Sequence, residues 1–143
     1  MRGLEYNQEL EDEMFLEEVR ETMNAMAENK LVDVIYGISA IMYVLDGTKA
    51  KALYSGVCID FDYKDNLLEN LKTHMAGICY TKRLFRSTAE VLSKSYTIIC
   101  DTNMSKLVDG KAIKDAEGNI VEPEGFISSK QKIKELLEQQ GCL

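Results

Sequence analysis

The stretch EEVRETMNAMAENKLVDVIYGISAIMYVLDGT, from Glu17 to Thr48, decides the fold. Its first part carries Glu18 and Glu21, which are three residues apart and therefore share one face of a helix. A short break follows, and a long apolar segment then begins with Asp33 near its start. This order predicts two antiparallel helices whose carboxylates converge. Converging oxygen ligands from more than one helix are what a Mg²⁺ ion requires.

The composition predicts a single globular domain that spans residues 1–143. Apolar residues make up 45% of the chain and charged residues 29%, which is an ordinary balance for a folded protein. The net charge of −7 argues against a nucleic-acid partner. The N-terminal residues lack the apolar core of a signal peptide, and no apolar run approaches the length of a membrane span. We therefore expect a cytoplasmic protein with no membrane partner.

The cysteines and the single histidine offer little material for metal or redox chemistry. Cys58, Cys79, Cys100 and Cys142 are dispersed and form no CxxC motif. Such a pattern is typical of reduced thiols in a cytosolic protein. We interpret these cysteines and His74 as structural.

Hydrophobic periodicity predicts an all-α fold, an antiparallel helical bundle with a small C-terminal β-hairpin and a closing helix. Pro123 is the one proline in the chain, which favours extensive helix. The expected helices cover about 10–28, 31–51, 62–79, 84–101 and 128–140. The expected core face of the first helix is Phe15, Leu16, Val19, Met23 and Met26. Turn formers within a tail segment, residues 101–127, predict a hairpin that pairs 111–114 with 119–121.

The second predicted helix has no charged residue between Val34 and Leu45. A helix that is apolar all round is buried on both sides. Because one small bundle would not cover both sides, this pattern predicts a homodimer or homotetramer with residues 31–45 near the interface. Tyr36 and Tyr43 lie on the face opposite the main stripe, and Gly37 and Ala40 beside them would leave room for a flat ligand.

Three segments follow one another in the order found in a known family. They are residues 17–48, the element Asn103-Met104-Ser105-Lys106, and the tail GKAIKDAEGNIVEPEGF at 110–126. Together they resemble the MazG-like, all-α NTP pyrophosphohydrolases, particularly the short phage-encoded type. The resemblance implies a helical bundle that binds nucleotides, and host cytoplasm as the location of a phage-encoded member.

The resemblance also implies a metal site, which is incomplete in this chain. Members carry ExxE on one helix and ExxD on the next, often with another Asp one turn further. Glu18 and Glu21 match the first pair, but Asp33 is followed by Tyr36 and Ala40 where further carboxylates are expected. A phenol is a poor ligand for Mg²⁺ at neutral pH, because its pKa is about 10. The site is thus expected to bind Mg²⁺ weakly or not at all.

Three functions remain open from the sequence. The favoured one is a nucleotide-binding protein that sequesters a nucleotide, such as a host defence signal, without hydrolysis and without a cofactor. The alternative is an Mg²⁺-dependent NTP or dNTP pyrophosphohydrolase of modest activity, in which Glu18, Glu21 and Asp33 hold the metal. The third is a helical module that binds only protein.

Seven residues are candidates for ligand binding, and each also has a plain structural interpretation. The glutamates could form a solvated helix face, the aspartate a first-turn carboxylate, the tyrosines packing contacts, and the NMSK residues a helix C-terminus. The candidates are Glu18, Glu21, Asp33, Tyr36, Tyr43, Asn103 and Lys106.

Overall fold

The computed structural model describes residues 5–81, 88–105, 107–108, 111–112, 114–117 and 126–139. Its helices are α1 (Gln8–Ala27), α2 (Leu31–Tyr54), α3 (Asp62–Thr81), α4 (Thr88–Ser105) and α5 (Ser129–Gln139). The predicted all-α class is confirmed. Each expected helix is present, with ends displaced by a few residues.

The first two helices form an antiparallel hairpin with a tight connection. Asn7 caps α1, where its side-chain oxygen accepts a hydrogen bond from the Leu10 amide at 3.2 Å. Asn29 ends the helix in the left-handed region, with φ at 55°. Asparagine tolerates this conformation better than most residues with a side chain. The chain therefore reverses within a few residues, and α2 returns along α1.

Helix α2 is the centre of the bundle, because it packs against α1, α3, α4 and α5. Ile35, Ile38 and Ile41 are fully buried. By length and composition α2 could also cross a membrane, but 56% of its most apolar window is buried inside the bundle. A single chain thus covers this helix on both sides. One bundle of this size therefore does cover both sides, contrary to the expectation, and the oligomer remains a prediction without that support.

The buried face of α1 differs from the predicted one. It consists of Glu11, Phe15, Val19, Thr22 and Ala25. Leu16 and Met23, which were expected in the core, are 45% and 55% exposed. The prediction counted only apolar residues, whereas two polar residues occupy the core face. The true stripe is therefore rotated around the helix axis.

The predicted β-hairpin is not seen. Residues 119–121 of the expected pairing lie outside the described residues. Residues 111–112, the first part of the other expected strand, instead make a two-residue antiparallel pairing with Leu107–Val108. Helix α5 follows this region and packs against both α2 and α4.

Candidate functional site

Helices α1 and α2 approach most closely where Thr22 faces Gly37. A Cβ atom added to Gly37 would lie 2.1 Å from Thr22 Oγ1. That hydroxyl donates a hydrogen bond to the backbone oxygen of Glu18 at 2.7 Å. Thr22 therefore fills the space directly against Gly37, but Gly37 and Tyr36 also line a cavity, so the predicted room for a flat ligand stays a prediction. The close approach also brings the glutamate face of α1 to the tyrosine face of α2.

Glu18 is a half-buried carboxylate that is poorly satisfied. Its Oε2 atom is buried and has no hydrogen-bond partner in the part of the chain that the structure describes. Burial raises the pKa of Glu18, and the negative charges of Glu21 and Glu17 raise it further. Burial raises the pKa of the Tyr36 phenol as well, and the negative charges of Glu18 and Glu21 raise it further. The two glutamates and Tyr36 thus form one electrostatic cluster.

Lys130 reaches this cluster from the first turn of α5. Its Nζ atom lies 3.3 Å from Asp33 Oδ1 and 5.1 Å from the centroid of the Tyr36 ring. Its positive charge also opposes the rise in the pKa of Glu18. The side chains of Lys130 and Asp33 are 54% and 36% exposed, so their ion pair contributes little stability. The ammonium is therefore available to another anion.

Two cavities flank Tyr36 and Lys130, which line both of them. We name the pair the Tyr36 groove. The acidic cavity has a volume of about 270 Å³. Its other lining residues include Glu21, Thr22, Glu28, Lys30 and Asp33. The hydroxyl cavity has a volume of about 210 Å³. Its other lining residues are Ile99, Thr102, Asn103, Phe126, Ser128 and Ser129.

The structure brings five of the seven candidate residues to this groove. Glu21, Asp33 and Tyr36 line the acidic cavity, Asn103 lines the hydroxyl cavity, and Glu18 lies within electrostatic reach of Tyr36. Tyr43 lies two turns beyond Tyr36 on α2, is 39% exposed and lines neither cavity. Lys106 lies outside the described residues, so its predicted contact remains a prediction.

Sequence reasoning missed Lys130, Thr102 and Ser129. One signal for Lys130 was present in the sequence. A lysine in the first turn of a helix opposes the helix dipole, which favours negative charge there. The serines that precede it marked the start of α5, and the unfavourable lysine after them could have suggested a partner elsewhere. Nothing in the sequence indicated which partner it would be.

Two observations concern the predicted Mg²⁺ ligands, and the metal site itself stays a prediction. Among the described residues, no group of three His, Cys, Asp or Glu side chains is placed to hold a metal ion. Of the predicted ligands, Asp33 is paired with the ammonium of Lys130. A metal bound by Glu18, Glu21 and Asp33 would have to displace that positive charge.

A larger cavity of about 530 Å³ lies between α2, α3 and α4. Its lining includes Met42, Ala76, Leu92 and Tyr96 and none of the seven candidate residues. The Tyr96 hydroxyl donates to Asp46 Oδ2 at 2.6 Å, and this bond, with burial, raises the pKa of Tyr96. We favour the Tyr36 groove although it is smaller, because charged and hydrogen-bonding groups from four helices converge there.

The Tyr36 groove is thus a polar site assembled from α1, α2, α4 and α5, in which the Tyr36 ring and the Lys130 ammonium line both cavities. Comparison of the chain with models of protein families, with curated proteins and with solved structures finds no match in any of the three.

Proposed function

We propose that this chain is a nucleotide-binding protein of the MazG-like fold, which holds a nucleotide-derived ligand in the Tyr36 groove without hydrolysing it. The observation that carries the proposal is the position of Lys130. A phosphate group needs a positive charge, which Mg²⁺ supplies in enzymes that cleave nucleotides. Here an ammonium group fixed beside Asp33 and Tyr36 supplies positive charge from the protein itself. Lysine binds phosphate as a point charge.

The lining of the groove suits the other parts of a nucleotide. Carboxylates of Glu21 and Asp33 in the acidic cavity can accept hydrogen bonds from ribose hydroxyls or from base amino groups. The Tyr36 ring borders both cavities and offers an apolar contact for a base or sugar. Because the same two side chains line both cavities, we propose that one ligand occupies both.

The biological use that we propose is sequestration. A protein that binds a signalling nucleotide and releases it unchanged lowers the free concentration of that signal. The resemblance to phage-encoded proteins makes a host defence signal in the host cytoplasm the ligand that we propose. This step depends on the resemblance and not on the geometry of the groove.

The second candidate is an Mg²⁺-dependent NTP or dNTP pyrophosphohydrolase, and one observation favours it. The buried and unpartnered oxygen of Glu18, with Glu21 close enough to raise its pKa, is a costly arrangement. Perturbed carboxylates of this kind are frequent at catalytic sites. Glu18, Glu21 and Asp33 would hold the metal after Lys130 had moved away. Bound Mg²⁺ would neutralise the phosphates and activate water.

Native mass spectrometry of the purified protein with a nucleotide mixture, with and without Mg²⁺, separates these functions. We expect an intact nucleotide to be retained in the absence of metal. Release of a nucleoside monophosphate in the presence of Mg²⁺ would establish the pyrophosphohydrolase instead. If the protein neither retains nor hydrolyses any nucleotide, both functions are contradicted and a module that binds only protein is favoured.

A further inference from the structure

We infer that the phosphate end of the ligand binds in the hydroxyl cavity, at the N-terminus of α5, and that the base and sugar face the carboxylates. This inference rests on the proposed function and adds the orientation of the ligand. It makes the N-terminal turn of α5, together with Thr102 on α4, an anion subsite that requires no metal.

The first turn of α5 has amide groups available for an anion. Ser128 precedes this 11-residue helix, and its backbone oxygen accepts from the Lys132 amide at 3.1 Å. Its Oγ atom accepts from the Gln131 amide at 3.2 Å. The amides of Ser129 and Lys130 come earlier in the turn and have no acceptor within the helix. Both residues line the hydroxyl cavity. Such amides and the helix dipole together favour a bound phosphate.

Thr102 provides an independent observation in the same cavity. The residue is 2% exposed, and its hydroxyl has no hydrogen-bond partner among the described residues. Threonine within a helix commonly donates to the carbonyl one turn earlier, which would satisfy the hydroxyl. This hydroxyl does not, so its burial is unfavourable without a ligand. Thr102 lines the hydroxyl cavity, so its hydroxyl is a donor for an anion bound there.

Charge distinguishes the two ends of the groove. Glu21, Glu28 and Asp33 line the acidic cavity together with Lys30, whose ammonium is paired with Glu28 at 2.8 Å. The remaining carboxylates, Glu21 and Asp33, would repel a phosphate that carries no metal. The residues that line the hydroxyl cavity include no carboxylate. They offer the Asn103 amide, the Lys130 ammonium and four hydroxyl groups as donors. A phosphate is therefore expected to prefer the hydroxyl cavity.

The test uses inorganic phosphate, ADP and adenosine as probes, all in EDTA, with amide chemical shifts followed by NMR. We expect phosphate and ADP to shift the amides of Ser129 and Lys130, and adenosine to leave them unchanged. Thr102→Val keeps the shape of the side chain and removes its hydroxyl. It should weaken ADP binding about tenfold, the loss expected for one hydrogen bond to a charged group. Adenosine affinity and melting temperature should not fall.

Ser95→Ala is the matched control. Ser95 also lies on α4, is fully buried and has an unpartnered hydroxyl, but it does not line the hydroxyl cavity. This variant should bind ADP as the wild type does. An equal loss of ADP affinity in both variants would overturn the inference, because the effect would then be structural.

The remaining outcomes separate the inference from the proposed function. If ADP binds without shifting the α5 amides, and Thr102→Val binds ADP as tightly as the wild type, the orientation is overturned. Nucleotide binding itself would still be supported. Shifts of these amides with inorganic phosphate, but no binding of any nucleotide, would support the anion subsite and overturn the proposed function. No response to phosphate or ADP would overturn the inference.

Discussion

Glu18 and Lys130 set the electrostatics of the Tyr36 groove with opposite charges. The Glu18 carboxylate is partly removed from water and faces Glu21, so its ionised form is disfavoured. Lys130 is the cation that opposes this effect, and it approaches over the ring of Tyr36. In the proposed function, the balance between these two charges favours an anionic ligand over a metal ion.

Replacement of Glu18 by Gln should stabilise the protein at neutral pH. The folded-state pKa of Glu18 is raised, so the folded protein holds a proton that the unfolded chain releases at about pH 4.3. Stability is therefore lost as the pH rises through the folded pKa. At pH 7 Glu18→Gln should add about 0.5–2 kcal/mol to the free energy of unfolding, as favourable single substitutions do.

Urea denaturation at pH 7 and pH 4 measures this effect. The increase in the free energy of unfolding that Glu18→Gln causes should be smaller at pH 4, where more of the wild-type Glu18 carboxyl is protonated. Glu13→Gln is the control, since Glu13 is exposed on the same helix and does not contribute to the raised pKa of Glu18. A Glu18→Gln protein that is less stable than the wild type at pH 7 would contradict this account of the site.

The sequence predicted those site residues whose positions follow from a helical repeat. Glu18 and Glu21 are separated by three residues, as are Asp33 and Tyr36, and the short connection between their helices made the two pairs face each other. Lys130 was not predictable in the same way. Its partner Asp33 is distant in sequence, and no local pattern specifies the angle at which α5 crosses the hairpin. Thr102 was missed because an unpartnered hydroxyl is visible only in three dimensions.

At the scale of elements, the α1–α2 hairpin is the frame of the site. Besides the shared hydrophobic core, one specific contact joins the two helices near each end. Thr22 packs against Gly37 near the groove. Glu11, at the far end, accepts hydrogen bonds from Lys51 Nζ at 2.7 Å and from the Thr48 hydroxyl at 2.5 Å.

Gly37→Ala should destabilise the hairpin. The added Cβ would lie 2.1 Å from Thr22 Oγ1 and 3.0 Å from Thr22 Cβ, so the Thr22 side chain or one of the helices must shift. Overpacking of this kind costs about 1–3 kcal/mol, and the higher helix propensity of alanine returns about 1 kcal/mol. We expect a net loss of up to about 2 kcal/mol in chemical denaturation. Gly47→Ala on the same helix is the control, because no atom lies within 4 Å of its added Cβ, and it should be stabilising. Equal effects of the two substitutions would refute the close contact.

Glu11→Ala should weaken the far end of the hairpin. Burial acts to raise the pKa of Glu11, but the hydrogen bonds from Lys51 and Thr48 outweigh it, and the net pKa is lowered. Its stabilising contribution is therefore present above the unfolded pKa of about 4.3 and is lost as the pH falls through the lower folded value. At pH 7 we expect a loss of about 3 kcal/mol, because a buried partner is removed.

The free energy of unfolding, measured as the pH is lowered, distinguishes the effect of the ionised Glu11 carboxylate from a simple loss of packing contacts. The wild type should lose stability below about pH 4.3, and Glu11→Ala should show a shallower decline in that range. Glu13→Ala, an exposed site on the same helix, should leave both the stability and the acid profile unchanged. Parallel acid profiles for the wild type and Glu11→Ala would count against the lowered pKa.

Helices were predictable from the sequence, but the orientation of one of them was not. A repeat of 3.6 residues marks a helix even where the polar and apolar faces are uneven. For α1 the prediction placed Leu16 and Met23 inside, whereas Glu11 and Thr22 occupy the core face. A buried polar residue is tolerated only when it finds a partner, and the partner of Glu11 lies on another helix. Apolar periodicity within α1 could not reveal it.

In the whole molecule, the four other helices bury α2, so the expectation on which the predicted oligomer rested no longer holds. A homodimer or homotetramer can no longer be argued from the apolar faces of α2. The apolar side chains available for contact between copies include Leu16 and Met23, which are 45% and 55% exposed on α1. They are seven residues apart and therefore lie on the same side of the helix.

Light scattering at micromolar concentration tests the predicted oligomer. We expect an even oligomer for the wild type and a monomer for the double variant Leu16→Glu, Met23→Glu, because buried charges at a contact are costly. The matched control is Glu13→Lys, an exposed change of charge on the same helix, which should keep the oligomer. A monomeric wild type would contradict the predicted assembly. It would not affect the Tyr36 groove, because a single chain forms that groove.

The central claim is that Lys130 takes the place of a metal in holding an anionic nucleotide. Calorimetric titration of ADP into the wild type and into Lys130→Ala, both in EDTA, tests it most directly. Loss of a charge-assisted bond should weaken binding at least about tenfold. The melting temperature should hardly change, since the exposed Asp33 pair contributes little. Lys134→Ala, an exposed site one turn further along α5, should bind as the wild type does. Binding that requires Mg²⁺, or that Lys130→Ala leaves unchanged, would contradict the account.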